Sequence, residues 1–427
     1  MPDSPENEAL SPGELIALYE APDPTIDNSF LSGIYDIDWA QLDHAHGEAT
    51  DVPALLRALL SDTYAHRDFA LELLFETVWH QGSIYRASAY AARFLMQLLT
   101  YDETPCKEGI LYLLSAFAEG YYGHVEQKED TQENQLQLGS YIDTLNTITD
   151  AKLRLERKTQ AVVAQGIPLF LELSTHSDPE IVMAALDTLS RLPDYAATIT
   201  PHLEARLVQK ADMPTKANLI LALHKLLSQT AEHATVFEQV FQREDNEILQ
   251  VLAARAVLVR RGVDTPTTMI TTLQHASTVI DTIPENSHYT WSLEAHFYPS
   301  PMAGDQAVTI AEAFAALGLP TSAHTLMDTL KDITVSRVAY VFVENLLDLV
   351  FGGTSGKASA RYQGLDKITY TLQEPITPRV RNNLTSLQQD TLRLIADHDP
   401  FWEIEHNLLE VYGLPSERST LREWLDD

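Results

Sequence analysis

The sequence predicts an all-α protein, a solenoid (superhelix) of short helix pairs with capping helices at its N- and C-terminal ends. Apolar residues recur at helical spacing along most of the chain. Three aspartates that open similar helices, Asp178, Asp212 and Asp245, follow one another at separations of 34 and 33 residues. A repeat of that length is typical of stacked helix pairs. The chain has 427 residues, 45% of them hydrophobic, so an elongated array explains its size better than one compact core.

The clearest repeat unit is the segment 166–192. Asp178 is expected to accept hydrogen bonds from free helix amides, and Pro179 stands at the first helical position, where its missing N–H costs nothing. Ile181 and Leu189 belong to one apolar stripe at helical spacing. The Asp-Pro start, the alanine pair and the leucine ladder resemble the second half of a HEAT repeat. An isolated helix pair of this kind would expose one apolar face to water, so the pattern predicts neighbouring pairs that cover it.

Two N-terminal segments carry a more specific resemblance. The run HAHGEATDVPALL occupies residues 44–56, and WHQGSIYRASAYAARFL occupies residues 79–95. Together with Asp38 and Trp39, they resemble the N-terminal part of a family of bacterial HEAT-repeat proteins of unassigned activity. The resemblance implies short HEAT-like helix pairs and implies no particular chemistry.

Composition and helix signals divide the chain into successive segments. A capping box at Ser11 and Glu14 predicts a short helix near the N-terminus, and Thr385 with Gln388 forms a second capping box. The glycine-rich stretch 352–364 is predicted to be a loop. The predicted order is an acidic N-terminal arm with a short helix (1–38), an N-terminal HEAT-like segment (39–124), a polar loop (125–140), central HEAT-like repeats (141–280), an irregular aromatic insertion or hinge (281–304), and C-terminal helical repeats with an end cap (305–427).

The charge balance is strongly acidic. The chain has 29 basic and 61 acidic residues, a net charge of −32, and residues 1–150 hold six cations against 26 carboxylates. Such a surface repels phosphate backbones, which excludes nucleic acid as a partner. It favours a basic protein partner, whose attraction salt would weaken. The plain alternative is a solvated acidic surface that only keeps the protein soluble.

Cysteine content and hydropathy indicate the compartment. Cys106 is the only cysteine, which excludes intrachain disulfides and cysteine-rich zinc sites and fits a reducing environment. The first residues have neither the positive region nor the apolar core of a secretory signal. No apolar run reaches the ~20 residues that a transmembrane helix needs. The sequence therefore predicts a cytoplasmic protein with no membrane partner, and it leaves the oligomeric state open.

The most distinctive polar cluster surrounds the HQG motif. We take the candidate partner-binding residues to be Trp79, His80, Gln81, Tyr85 and Tyr90. A structural interpretation stands beside this one, because a histidine near helix carbonyls, a bonded glutamine and a glycine are also what a helix stop requires.

No motif predicts a catalytic residue, a cofactor or a metal. His44 and His46, with Asp43 and Glu48, lie in one turn and fall short of the three or four dispersed ligands of a closed metal site. The loop 352–357 resembles a phosphate-binding loop, but it follows a helix where such a loop needs a strand.

These observations predict a noncatalytic protein-protein interaction scaffold that presents an acidic concave surface to a basic protein. A narrower form of this hypothesis is an immunity-type inhibitor of a basic toxin. The alternative is an enzyme or enzyme subunit on a HEAT-like scaffold, such as a bilin-lyase-like component. Fold alone does not decide between them, since one architecture serves many functions.

Overall fold

A computed structural model describes residues 10–20, 31–119, 139–209, 211–279, 310–352, 358–362, 367–372 and 376–426. Within these ranges helices dominate and the strands are few and short, which confirms a mostly helical protein. The chain divides into two compact units. The first contains the described residues up to 209 together with Lys225–Leu227, and the second contains Ala211–His224 and the described residues from 228 onward.

The first unit alternates helices with two small hairpins. Its elements are α1 (Pro12–Glu20), β1 (Asp43–His44), β2 (Gly47–Glu48), α2 (Val52–Ala58), α3 (Tyr64–Thr77), β3 (Trp79–His80), β4 (Ser83–Ile84), α4 (Arg86–Leu99), α5 (Lys107–Glu119), α6 (Gly139–Ala164), α7 (Ile167–Leu173), α8 (Pro179–Ser190) and α9 (Ala196–Leu207). The hairpins were not predicted within the segment 39–124, because strands of two residues have no measurable period.

Local capping signals start the helices where the sequence predicts them. The Ser11 amide donates to the Glu14 carboxylate at 2.8 Å, so the capping box at the start of α1 is confirmed. Asp178 accepts a bond from the amide of Glu180 at 2.9 Å and begins α8 as predicted. Both bonds connect residues within three positions of each other, which is why the sequence alone reveals them.

Helices α5 and α8 pack around a buried carboxylate. Asp187, with 1% of its side chain exposed, accepts a hydrogen bond from the Ser115 hydroxyl and lies 3.1 Å from the Nε of Arg191. Arg191 also pairs with Glu119, and the hydroxyl of Thr188 donates to the carbonyl of Leu111 at 3.1 Å. These polar contacts fix the register of the two helices within an otherwise apolar core.

The second unit combines helices with a small sheet. Its elements are α10 (Met213–Leu226, of which the residues to His224 belong here), α11 (Ala234–Arg243), α12 (Glu247–Arg261), α13 (Thr267–Val279), α14 (Thr321–Leu330), α15 (Ser336–Phe351), β5 (Ala358–Tyr362), β6 (Lys367–Leu372), α16 (Ser386–Asp397), β7 (Glu405–His406) and α17 (Arg418–Asp426). Strand β6 is central, antiparallel to β5 and parallel to β7.

The sheet corrects two predictions for the C-terminal segment 305–427. That segment is not helical throughout, and strand β5 lies within the stretch 352–364 that was predicted to be a loop. In β6 the side chains of Ile368 and Tyr370 are buried on one face while Lys367 and Thr369 are more exposed. This alternation is typical of a half-buried strand, but the run is too short to stand out among helical patterns.

The predicted repeat starts are right in two cases and wrong in one. Asp212 accepts a bond from the amide of Thr215 at 2.9 Å and precedes α10, as Asp178 precedes α8. At the third start the capping residue is Asn246, which accepts from the amide of Leu249 at 3.2 Å, and not Asp245. The predicted insertion 281–304 lies outside the described residues, and so does the predicted polar loop 125–140 except for its last two residues, which begin α6.

Candidate functional site

Two short hairpins, one before α2 and one after α3 in the chain, carry the site. In hairpin 1, β1 pairs with β2 and His44 lies opposite Gly47; in hairpin 2, β3 pairs with β4 and His80 lies opposite Ser83. Each hairpin therefore has a histidine at the end of its first strand. In hairpin 2 the loop residues Gln81 and Gly82 have φ angles of 50° and 85°, and these left-handed conformations match the twist of a tight hairpin.

Hairpin 2 changes the interpretation of the HQG motif. Helix α3 does end just before it, but the chain then forms a hairpin instead of a simple helix stop. Helix α4 begins at Arg86, where the hydroxyl of Ser88 accepts a bond from the amide of Tyr85 at 2.8 Å. The same hydroxyl donates to the carbonyl of Val78 at 2.5 Å, which fixes both ends of hairpin 2.

Hairpin 1 is held by a buried histidine. The Nε2 of His44 lies 2.9 Å from the carboxylate of Asp51, and its Nδ1 accepts a bond from the backbone amide of His46 at 3.0 Å. Both ring nitrogens of His44 are therefore occupied, and the bonding pattern assigns the proton to Nε2. His44 positions the loop that carries His46.

The carboxylate of Asp43 in hairpin 1 is also hydrogen-bonded, in this case to Arg86. Burial raises the pKa of Asp43, but hydrogen bonds from Arg86 outweigh burial and the net pKa is lowered. The guanidinium Nε and the backbone amide of Arg86 lie 2.7 and 3.2 Å from the carboxylate of Asp43. Asp43 is thus an anchor between hairpin 1 and the start of α4.

The two hairpins meet at the C-terminal end of α3. The backbone amide of Ala45 donates to the carbonyl of Thr77 at 2.9 Å, which brings hairpin 1 against the last turn of the helix. The rings of His46 and His80 are 5.6 Å apart between centroids, and the Nδ1 of His80 lies 3.3 Å from the Oε2 of Glu76. One nitrogen or oxygen from each of His46, Glu76 and His80 lies within 4.8 Å of the others. We call these three residues the His46 cluster.

The structure brings together some of the predicted partner-binding residues and separates others. Trp79, His80 and Gln81 belong to hairpin 2, where Gln81 is exposed and Trp79 is half-buried with its ring against Phe75. Tyr85 follows directly and is half-buried. Tyr90 lies within α4, where its ring contacts Trp39 edge-on and the ammonium of Lys158 from α6 lies 5.6 Å from its centroid. Tyr90 therefore packs between elements.

The four residues considered as metal ligands in one turn, His44, His46, Asp43 and Glu48, do not form a common site. His44 and Asp43 are occupied by Asp51 and Arg86, so only His46 of that group joins the His46 cluster. Sequence reasoning missed Glu76 entirely. The sequence offered one indication of Glu76, which is that it precedes His80 by four residues. Side chains four residues apart lie on the same side of a helix, and α3 ends only one turn before His80.

Helix α3 carries a row of exposed carboxylates that leads to the His46 cluster. Asp68, Glu72 and Glu76 are exposed and spaced four residues apart, so they share one broad face of the helix. We call this row the acidic stripe. Like charges at this spacing oppose each other, and a carboxylate in the last turn also opposes the helix dipole. The stripe therefore lowers the stability of the helix that bears it.

Exposed cations are scarce in the segment 31–119, which contains this helix. Within residues 31–119, Arg57 and Lys107 are buried, Arg67 is half-buried and donates to the carbonyl of Ser61, and Arg86 pairs with Asp43, which leaves Arg93. The exposed carboxylates of the same range are Asp36, Asp38, Glu48, Asp62, Asp68, Glu72, Glu76, Asp102 and Glu103. The solvent-facing charge of this part of the chain is therefore strongly negative.

Glu76→Gln is expected to stabilise the metal-free protein. Removing the charge relieves repulsion from Glu72 and from the helix dipole, which together are worth about 0.3–1 kcal/mol. The measurement is urea denaturation at pH 8 in the presence of a chelator. Glu103→Gln, an exposed change of equal charge outside the helix, is expected to leave the midpoint unchanged. A lower midpoint for Glu76→Gln would mean that the contact of this carboxylate with His80 outweighs the repulsion.

Fold and site together define a mostly helical protein with two hairpins and a histidine-carboxylate cluster in its first unit. Across the described ranges, no helix combines the length and apolar composition needed to cross a bilayer. Comparison with models of known protein families found no match, and comparison with curated proteins found none either. The function is therefore inferred from the residues of the site.

Proposed function

We propose that this chain is a noncatalytic binding protein whose first unit recruits a basic protein through the acidic stripe. The observation that carries the proposal is the row of exposed carboxylates on α3 in surroundings with few exposed cations. Natural helices usually mix charges along an exposed face, because like charges at this spacing destabilise them. A basic partner that neutralises the carboxylates would offset this cost and explain why the acidic stripe is present.

The dimensions of the acidic stripe suit a protein surface. From Asp68 to Glu76 the helix rises about 12 Å, which is the length of a short row of lysine or arginine side chains on a partner. Screening at physiological salt has a length of about 8 Å, so the carboxylates act on a partner mainly at short range. Electrostatic attraction of this kind speeds association and selects for basic partners.

Aromatic side chains at both ends of the stripe add contact area. Tyr64, at the start of α3 and four residues before Asp68, is 70% exposed. Trp79 and Tyr85 are half-buried beyond its other end. Tyrosine and tryptophan are enriched at the energetic centres of protein interfaces, since they bury large areas with few rotatable bonds. We therefore assign the partner contact to the exposed face of α3 and to hairpin 2.

Capture of partners with charge-matched variants tests the proposal. The immobilised full chain is exposed to lysate of its source cells at low salt, and captured proteins are eluted with salt and identified. We expect basic proteins that Asp68→Asn/Glu72→Gln fails to capture. The control Asp102→Asn/Glu103→Gln removes the same charge from an exposed turn of the same unit and should capture them normally. Equal capture by both variants, or capture that resists salt, contradicts the proposal.

A narrower version names the partner's class. A basic toxin or nuclease held inactive by the acidic stripe would make the chain an immunity-type inhibitor. The strong negative charge of the stripe supports this version, because it competes for the same cationic surface that such an enzyme uses on nucleic acid. The cytoplasm is the compartment that we propose for this function.

We also propose that the helix pairs belong to a HEAT-like solenoid series. Support comes from the two aspartate-capped helix starts at Asp178 and Asp212, which are 34 residues apart, and from successive helices that pack against each other, such as α7 with α8 and α11 with α12. The alanines of α8, buried at positions 184 and 185, allow close approach of a neighbouring helix, as such a series requires.

A further inference from the structure

We propose that His46, Glu76 and His80 bind one divalent transition-metal ion, with zinc the best match to the ligand set. The site shares Glu76 with the acidic stripe and His80 with hairpin 2, whereas Asp68 and Glu72, whose substitution tests partner capture, are not among its ligands. Across the described residues, the His46 cluster is the grouping whose ligand atoms converge closely enough to hold an ion.

The donor atoms select the class of metal. Two imidazole nitrogens and one carboxylate oxygen suit zinc and its neighbours in the first transition row. Calcium and magnesium prefer sites made of oxygen ligands, so this set disfavours them. Three protein ligands leave the fourth tetrahedral position of a zinc ion for water, as in open zinc sites. His46 and Glu76 are exposed, so solvent reaches that position.

The distances fit a tetrahedral ion with one small adjustment. Zinc bonds of about 2.0–2.1 Å place neighbouring tetrahedral ligands about 3.3 Å apart. The Nδ1 of His80 and the Oε2 of Glu76 are separated by 3.3 Å. The remaining separations are within 4.8 Å, and rotation of the exposed His46 side chain can shorten them.

The backbone that carries His46 is fixed before any ion binds. Its amide donates to the Nδ1 of His44, and the preceding residue, Ala45, donates to the carbonyl of Thr77 beside Glu76. His44 is buried and bonded to Asp51, so it acts as a positioning residue and not as a ligand. Such supporting bonds reduce the entropy lost when ligands converge on a metal.

Electrostatics favour a cation at this place. Glu76 lies in the last turn of α3, where the negative end of the helix dipole and the charge of Glu72 add to its own. A bound divalent ion would neutralise all three contributions. The same features that destabilise the metal-free helix therefore strengthen binding of the ion.

Metal titration of the full chain tests the site. The protein is stripped with a chelator and titrated with Zn²⁺ by calorimetry, and with Co²⁺ by visible absorption, which reports tetrahedral coordination. We expect one equivalent of each metal to bind. Glu76→Gln should weaken the binding at least about tenfold, and His46→Ala/His80→Ala should abolish it.

Matched variants separate the site from general surface binding. Glu103→Gln removes an exposed carboxylate elsewhere in the first unit, and His202→Ala removes an exposed histidine of α9. Both should bind Zn²⁺ with wild-type affinity. Equal affinity of Glu76→Gln and Glu103→Gln, or one-equivalent binding that survives His46→Ala/His80→Ala, overturns the proposal. Circular dichroism of each variant establishes that a loss of binding is not a loss of fold. Metal titration of the purified chain involves no partner, so failure of the metal site and failure of partner capture are distinguishable.

Discussion

Arg191→Met is expected to lower the free energy of unfolding of the first unit by about 3–5 kcal/mol. Arg191 is the cation that faces the buried carboxylate of Asp187, at 3.1 and 3.2 Å from its two oxygens. Without it, Asp187 keeps the hydrogen bond from the Ser115 hydroxyl and the electrostatic attraction of Lys225. A buried charge left in this state is far more costly than the loss of an exposed ion pair.

Denaturation at two pH values separates this cause from lost packing. Burial raises the pKa of Asp187, while Arg191 acts in the opposite direction. The folded state therefore tolerates the protonated carboxyl, and the penalty of Arg191→Met should be smaller at pH 4 than at pH 7. Asp187→Asn/Arg191→Met should recover part of the loss at pH 7, because it removes the charge. A double variant no more stable than Arg191→Met would contradict this explanation.

Acid is expected to destabilise the second unit as the pH falls from 6.5 toward 4. The ring of His406 lies 4.3 Å from the ring of Phe401 and 5.5 Å from that of Tyr340, between centroids. Burial lowers the pKa of His406 from 6.5 to about 4, and the backbone of Phe401 partly opposes this shift. The stability that the neutral ring contributes is therefore complete above pH 6.5 and is lost through that window.

The expected loss is up to about 3 kcal/mol, since each pKa unit corresponds to about 1.4 kcal/mol. His398, whose pKa burial also lowers, acts in the same direction. Burial raises the pKa of Glu344, so this group acts in the opposite direction: its contribution is present at low pH and is lost as the pH rises. Thermal unfolding across pH 4–7.5 measures the sum.

A substitution isolates the part due to His406. His406→Phe keeps a ring among aromatic neighbours and removes the titrating group, so it should flatten the dependence of the unfolding midpoint on pH. His324→Ala, an exposed change in α14, should leave that dependence as in the wild type. An unchanged slope for His406→Phe would assign the acid sensitivity to other groups.

Local signals made part of the fold predictable. The capping boxes at Ser11 and at Thr385 involve partners three residues away, and both are present in the structure. The mostly helical composition could be predicted from apolar periodicity, because this pattern can be recognised within each helix separately. The sheet of the second unit was not predicted, because β6 pairs with β7, whose residues lie nearly 40 positions later in the chain.

The candidate site was only half predictable for a related reason. The sequence drew attention to His80 through its motif, and to His46 through its neighbour His44. It could not join them, because the bond that brings them together connects the backbone groups of Ala45 and Thr77, which leave no mark on residue type. The buried pair of Ser115 and Asp187 was hidden in the same way by 72 intervening positions.

The partner-binding role of the acidic stripe is tested most directly by titrating the captured basic partner against the two double variants over a range of salt concentrations. We expect Asp68→Asn/Glu72→Gln to weaken the dissociation constant about three- to tenfold at low salt and to converge with wild type at high salt. Asp102→Asn/Glu103→Gln should stay within about twofold of wild type. Equal weakening by both variants, or an affinity that salt does not change, would contradict recruitment through α3.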